Sequence, residues 1–259
     1  YWEIFLMNQV SPIDIANHLV HARINHIAWN PDKIAALSLD EIYAVHRLVT
    51  DKLGFEIGAW KTSPLKDPMS PFAGPIYKKD ISVSGAKILA SELFIIGIEG
   101  EIAFRFNRDF PNIKGSYTRS DILEGISEML PLIEVVDSRM VNGINQEASL
   151  KMADNQSNAG IIIGDPVTSE WQDINLTKLS VAIQMNGTKI YDDISNNPIE
   201  DVFHLMTGMI NVAATLGTPV QSGHIITTGS CSGLLFVEPG CNIVLDIKGV
   251  GRVEASFLI

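Results

Sequence analysis

Hydrophobic positions keep two different rhythms along this chain. In the first third they recur near helical spacing, as Ile15, Leu19, Ala22 and Ile24, and then as Ile42, Val45, Leu48, Val49 and Leu53. Ser11-Pro12-Ile13-Asp14 supplies an N-cap with Pro at the first helical position. Ser38-Leu39-Asp40-Glu41 has the form of a capping box, and Gly54 stops the helix that it starts. From Phe55 onward the apolar residues come in short runs broken by Gly, Pro and Asn. This predicts strands over 55–58, 88–90, 95–107, 132–137, 160–164, 179–185, 225–228, 242–247 and 253–258. Asn186-Gly187 and Glu238-Pro239-Gly240 are turn signals. A third helix is predicted from about 198 to 216, ahead of Gly217-Thr218-Pro219. Single helices among many strands predict a mixed α/β fold dominated by an antiparallel or rolled sheet, not a βαβ repeat. No internal repeat or low-complexity linker divides it, so residues 1–259 read as one domain with a helical N-terminal region.

One strand breaks the pattern. In Phe94-Ile95-Ile96-Gly97-Ile98-Glu99-Gly100-Glu101-Ile102-Ala103-Phe104, strand alternation puts Ile96, Ile98, Ile102, Phe104 and Phe106 on one face. Glu99 and Glu101 fall together on the other. Two like charges beside a core repel and are costly to bury without a cation or a shared proton. A hard divalent metal held by oxygen ligands removes both problems. A half-exposed strand with a solvated acidic face is the alternative. Glu134 interrupts a second apolar run, Leu130-Pro131-Leu132-Ile133-Glu134-Val135-Val136-Asp137-Ser138-Arg139. It reads either as a further ligand, as a salt-bridge partner of Arg139, or as part of an edge strand.

Bulk properties narrow the classes. The chain has 259 residues, ample for a core, and its 46% apolar and 19% charged composition is that of a globular protein. A formal charge of −11 with no Lys/Arg cluster argues against nucleic acid or an anionic membrane as partner. No apolar run approaches the roughly 18 residues of a membrane span, and the opening Tyr1-Trp2-Glu3-Ile4-Phe5-Leu6-Met7 lacks the features of a secretion signal. It also lacks an initiator Met. Cys231 and Cys241 alone make neither a disulfide framework nor a zinc site, so a reducing, cytoplasmic setting is expected. The six histidines form no ligand pair at metal-binding spacing, and no Gly-x-Ser-x-Gly elbow is present.

Several segments taken in order then carry a resemblance. Glu99-x-Glu101 precedes Glu134 by 33 residues, counted from Glu101. Around them stand Glu41-Ile42-Tyr43-Ala44-Val45-His46, Pro71-Phe72-Ala73-Gly74-Pro75-Ile76-Tyr77, Ala153-Asp154-Asn155-Gln156-Ser157-Asn158-Ala159-Gly160, Thr228-Gly229-Ser230-Cys231-Ser232-Gly233 and Glu238-Pro239-Gly240. Together they resemble the fumarylacetoacetate hydrolase superfamily, in its branch of 2-keto-4-pentenoate hydratases and 4-oxalocrotonate decarboxylases. The similarity runs from about Pro12 to Phe257.

The resemblance implies a fumarylacetoacetate-hydrolase-like β-roll, with an N-terminal α/β layer over 1–80 and a metal-binding core over 81–259. It implies Mg2+ or Mn2+ held by Glu99, Glu101 and Glu134, chelating the carboxylate and 2-oxo or enol oxygen of a small α-keto acid. It also implies a homo-oligomer, and a complex between hydratase and decarboxylase paralogues is a further option. Asp154, Asn155, Thr228, Gly229 and Ser230 match loops that face the substrate, although turn chemistry alone accounts for such residues. Asp137 and Arg139 read as a structural ion pair.

The chain departs from the branch at two points. Gly54-Phe55-Glu56-Ile57-Gly58 places Glu56 where hydratases read Gly-x-Lys-Ile-Gly, and Phe72 replaces a second acid. Glu56 could serve as a general acid/base with a raised pKa, or merely face solvent. Lys61 could swing in to replace the missing ammonium. The leading expectation is therefore a metal-dependent hydratase of a 2-hydroxydienoic acid. A decarboxylase or tautomerase on the same scaffold stands second, and hydrolytic cleavage of an acylpyruvate third. A divergent member with altered chemistry also stays open, because the usual Lys is absent.

Overall fold

The computed structural model describes residues 10–31, 34–65, 71–167 and 171–259; the opening segment read above lies outside them. Helices α1 (Pro12–Asn25) and α2 (Leu39–Leu53) start and stop where the caps dictate. Ser38 Oγ accepts from the Glu41 N–H at 3.3 Å, while Glu41 Oε2 accepts from the Ser38 N–H at 2.8 Å, closing the capping box. Gly54 at φ 64° donates its N–H to the Thr50 carbonyl, a left-handed stop that glycine adopts without a Cβ penalty.

Thirteen strands follow among the described residues: β1 (Ile57–Ser63), β2 (Phe72–Tyr77), β3 (Ile81–Val83), β4 (Ala86–Leu89), β5 (Gly97–Phe106), β6 (Ile126–Val136), β7 (Asn158–Ile163), β8 (Ser180–Met185), β9 (Thr188–Ile194), β10 (Ile225–Ser230), β11 (Leu235–Phe236), β12 (Asn242–Ile247) and β13 (Gly251–Leu258). Three more helices intervene: α3 (Arg119–Gly125), α4 (Ala148–Ala153) and α5 (Val202–Thr215). One sheet runs β2-β1-β10-β5-β6-β7-β3, with β11 also on β5; a five-stranded sheet runs β4-β13-β12-β8-β9. The result is a mixed α/β fold with two mixed sheets.

The expected elements are present, with instructive differences. The Asn186-Gly187 turn joins β8 to β9 with both residues at positive φ. The third helix begins only at Val202, because Asp201 Oδ1 accepts from the N–H groups of Phe203 and His204 and sets the cap there. β1 extends to Ser63, beyond the expected 58, and its central residues are buried on both faces. Such a strand carries no alternation to read. β2 includes Pro75, which a strand at the end of the sheet's order tolerates. The short helices α3 and α4 hold too few turns for a periodic signal.

The large sheet has two unlike faces. Ile98, Ile102, Phe104 and Phe106 of β5, with Ile133 and Val135 of β6, join one continuous core with α1, α2, α5 and residues such as Ile183 and Leu245 of the second sheet. The opposite face carries a smaller apolar cluster of Ala59, Ala103, Leu130, Leu132, Ile161 and Ile225. Gly100 lies on the side of the second sheet, where a Cβ would stand 2.8 Å from Leu245 Cδ1. Among the described residues, no helix is long and apolar enough to cross a membrane.

Candidate metal centre

The acidic site is a product of sheet register. Glu99 of β5 pairs directly with Glu134 of β6, and Glu101 pairs with Leu132. Alternation therefore sends Glu99, Glu101 and Glu134 out of the same face, continuing the row that begins with Ala103, Leu130 and Leu132. Each offers an oxygen, and these oxygens all lie within 4.8 Å of one another. Like charges directly opposite each other destabilise a strand pair. Here the repulsion is concentrated by burial, since Glu101 and Glu134 are fully enclosed.

One ammonium answers three carboxylates. Lys61 Nζ, reaching in from β1, lies 2.5 Å from Glu134 Oε1 and 3.9 Å from Glu99 Oε2. Asn158 Nδ2 donates to the same Glu134 oxygen at 3.0 Å, and the Gly229 N–H donates to Glu101 Oε2 at 3.2 Å. Glu101 Oε1 and Glu134 Oε2 are buried without a hydrogen-bond partner among the described residues. A buried carboxylate oxygen left unpaired is expensive, so these atoms call for a cation or a donor.

The electrostatics agree. Burial, then the charges of Glu134 and Glu99, push the Glu101 carboxyl well above the usual carboxylate range. Burial and then Glu134 also raise Glu99. Burial alone would lower the Lys61 ammonium, but Glu134, Glu99 and Glu101 together outweigh it and the net shift is upward. Three carboxylates and one ammonium leave two formal negative charges (−3 + 1 = −2), which one dication would neutralise. The donors are all oxygens, the ligand type of Mg2+, Mn2+ or Ca2+, so the residues present fit such an ion.

A cavity of about 560 Å³ opens onto this cluster. Lys61, Glu99, Glu101, Gly229, Ser230 and Lys151 give its polar lining, and Leu65, Ile144, Met152, Ile199 and Leu234 form an apolar wall.

Several expected contacts are not made. Glu56 stands outside the cavity, its side chain 77% exposed and 3.4 Å from Lys78 Nζ, because it precedes β1 and turns to solvent. It is therefore placed away from the acid/base position considered for it, whereas Lys61 lines the cavity. Asp154 is buried and taken up by Arg139, whose Nε and backbone N–H reach its carboxylate at 2.6 and 3.0 Å. The Asn155 amide is committed to the Pro75 carbonyl, and the Thr228 hydroxyl to the Ile102 carbonyl. Of the five residues expected at the substrate, only Gly229 and Ser230 line the cavity. Arg139 pairs with Asp154, leaving Glu134 to Lys61, while Asp137 Oδ1 accepts from the N–H groups of Phe94 and Ile95. Phe72 belongs to the apolar core, stacked on Tyr43.

Among the site residues not singled out from sequence are Gln156, Asn158 and Lys151. The first two stand in the quoted Asp154–Asn158 stretch, but a run of polar residues does not announce which of them turns inward. Lys151 sits on α4, which has no periodic signature.

The chain matches the model of the fumarylacetoacetate (FAA) hydrolase C-terminal family over residues 56–258. It is 26% identical over 239 residues to 2-keto-4-pentenoate hydratase 2 of Dechloromonas aromatica (strain RCB), covering 87% of this chain and 88% of that protein. It is 27% identical over 174 residues to 4-oxalocrotonate decarboxylase of Pseudomonas putida, covering 67% of this chain and 64% of that one. The solved 4-oxalocrotonate decarboxylase from Pseudomonas putida G7, complexed with magnesium and adipate, shares the fold at a TM-score of 0.79 and 22% identity. That match covers 97% of this chain and 100% of the other. Family match and common fold leave one conclusion: this chain belongs to the fumarylacetoacetate hydrolase family.

Proposed function

We propose that the protein is a divalent-metal-dependent hydro-lyase that adds water to a small 2-hydroxydienoic acid such as 2-hydroxypenta-2,4-dienoate. The observation that carries this reading is the convergence of Glu99, Glu101 and Glu134, with two buried oxygens left unpartnered. These three residues would hold Mg2+ or Mn2+. A dication so bound supplies Lewis-acid stabilisation of the enolate of an α-keto acid.

The chain's own groups account for the proton traffic. Lys61 keeps its ammonium charged through the adjacent carboxylates, and its Nζ gives a proton to C5 of the dienol while the 2-hydroxyl releases its proton to solvent, leaving the 2-ketone conjugated with the C3–C4 double bond. Left neutral, Nζ then takes a proton from the water whose hydroxyl adds at C4, and the resulting enolate takes a proton at C3 from solvent, so one H2O is consumed and Lys61 is restored. The Gly229 N–H and the Asn158 amide hold Glu101 and Glu134 in place during these steps. The apolar wall holds the short carbon tail and limits bulk water.

The test is turnover of 2-hydroxypenta-2,4-dienoate with Mg2+ or Mn2+, and its loss with chelator and in Glu99→Ala. Metal binding by calorimetry with no consumption of the dienoate would refute hydration while sparing the metal site. A second reading, decarboxylation of a 2-oxo dicarboxylic acid, is favoured by one observation. Lys151 brings a further ammonium to the cavity wall, its Nζ 3.0 Å from the Ile144 carbonyl, where a distal carboxylate could meet it. CO2 release from such an acid, without hydration of the monoacid, would select this alternative.

A further inference from the structure

Beside the carboxylates the backbone does something unusual. Asn155, Gln156 and Ser157 follow one another at φ 52°, 53° and 59°, a left-handed turn built without a single glycine. L-residues rarely adopt this conformation even singly, so three in succession persist only where neighbours enforce it. Arg139 is one such neighbour, beside the Asp137 N–H that donates to the Ser157 carbonyl at 2.8 Å and the Pro75 carbonyl that accepts from the Asn155 amide at 2.9 Å. Arg139 is buried, and its guanidinium grips both ends of the turn: Nη2 donates to the Asp154 carbonyl at 2.7 Å, and Nη1 to the Asn158 carbonyl at 2.9 Å. Its Nε and backbone N–H hold the Asp154 carboxylate as well.

The gripped segment points two groups at the site. Gln156 turns its main-chain carbonyl toward Lys61 Nζ, at 3.4 Å, and its side-chain amide donates to Ser63 Oγ. Asn158 directs its amide onto Glu134 Oε1, which leaves Oε2 of that carboxylate unpartnered. We propose that Arg139 is a positioning residue for the metal centre, acting through the left-handed turn and Asn158 on Glu134, and through Gln156 on Lys61. This rests on the reading that the three glutamates bind a dication. Hydrogen-bond partners of metal ligands orient the ligand, and their loss commonly weakens metal binding by about 10- to 100-fold. Arg139 would stand one step further out, with no contact to the ligand itself.

The test is a double-mutant cycle read as Mn2+ affinity by calorimetry. Arg139→Lys keeps a positive charge near Asp154 but cannot span both ends of the turn. Asn158→Ala leaves the ion pair and removes the amide from Glu134. Each is expected to weaken Mn2+ binding by about ten-fold or more. The double variant should bind no more weakly than the worse single one, because both changes cut the same path. A purely structural Arg139 would show losses that multiply, or a lower melting temperature with wild-type affinity; either result overturns the proposal. If Arg139→Lys fails to fold, Asn158→Ala decides: weakened binding supports the path, and unchanged binding breaks it. Wild-type protein that takes up no Mn2+ would overturn the metal reading together with this one. Normal wild-type binding with insensitive variants would sink only the role of Arg139.

Discussion

Two clusters of charge are buried in this protein, and they are built on opposite principles. Around Arg139 and Asp154 the contacts of the pair are spent inside the protein: both carboxylate oxygens are engaged, the guanidinium donates through Nε, Nη1 and Nη2, and Arg23 Nη2 stands 3.6 Å from the same carboxylate. Around Glu99, Glu101 and Glu134 the sum is left open, with one ammonium for three carboxylates and two enclosed oxygens lacking a partner. A buried ion pair that is complete holds the chain in one conformation. One that is incomplete marks where something from outside binds. The contrast explains why Asp154, which the segment's resemblance placed at the substrate, belongs to the scaffold instead.

The sharpest way to break this comparison is to treat the clusters alike. Asp154→Ala strips the complete cluster of its anion and strands Arg139, and should destabilise the fold by about 3–5 kcal/mol, read by urea denaturation. Glu101→Gln in the incomplete cluster should do the reverse to the metal-free protein, raising its melting temperature toward higher pH by removing a buried carboxyl that is costly to ionise. The same substitution should cut turnover by about 10²–10³-fold. If both substitutions destabilise the metal-free fold equally, the distinction fails.

A pH series sharpens it. Glu101 and Glu99 hold protons more tightly folded than unfolded, so these groups favour the fold below their ordinary value of 4.5. That contribution drains away as pH rises through their raised values. The Lys61 ammonium, also raised but from a basic ordinary value, keeps its contribution through neutrality and loses it only above its raised value. With chelator present, the melting temperature should therefore fall as pH rises above the ordinary value of 4.5 and through the raised values of these two carboxyls. Saturating Mg2+ or Mn2+ should flatten that slope, adding about 2.7 kcal/mol at a hundred times the dissociation constant. The smallest effect is expected at Glu56, exposed on Lys78. Glu56→Gln should move stability by no more than about 0.5 kcal/mol and leave turnover unchanged.

How far the sequence could be read depended on whether a residue's surroundings leave a period. β5 has the core on one side and acids on the other, so its alternation gave the shared face of Glu99 and Glu101 directly. The caps of α1 and α2 and the Asn186-Gly187 turn rest on local chemistry, which is written in neighbouring residues. Lys61 was harder, because β1 is enclosed on both faces and reads as an undifferentiated run. Asn158 and Gln156 were harder still. Their direction comes from three left-handed residues that a guanidinium distant in the chain helps to enforce, and no local propensity encodes that. Glu56 was misplaced for a related reason: a matching motif fixes a position in the chain, but only the start of β1 decides which way the side chain faces.

The tight approach at Gly100 limits how this cavity can be reshaped. With Leu245 close behind it, the strand carrying both acids is backed by the second sheet and has no slack toward that side. Protein engineers seeking room for a bulkier acid would do better to trim Met152 or Ile144 on the opposite wall than to move the strand.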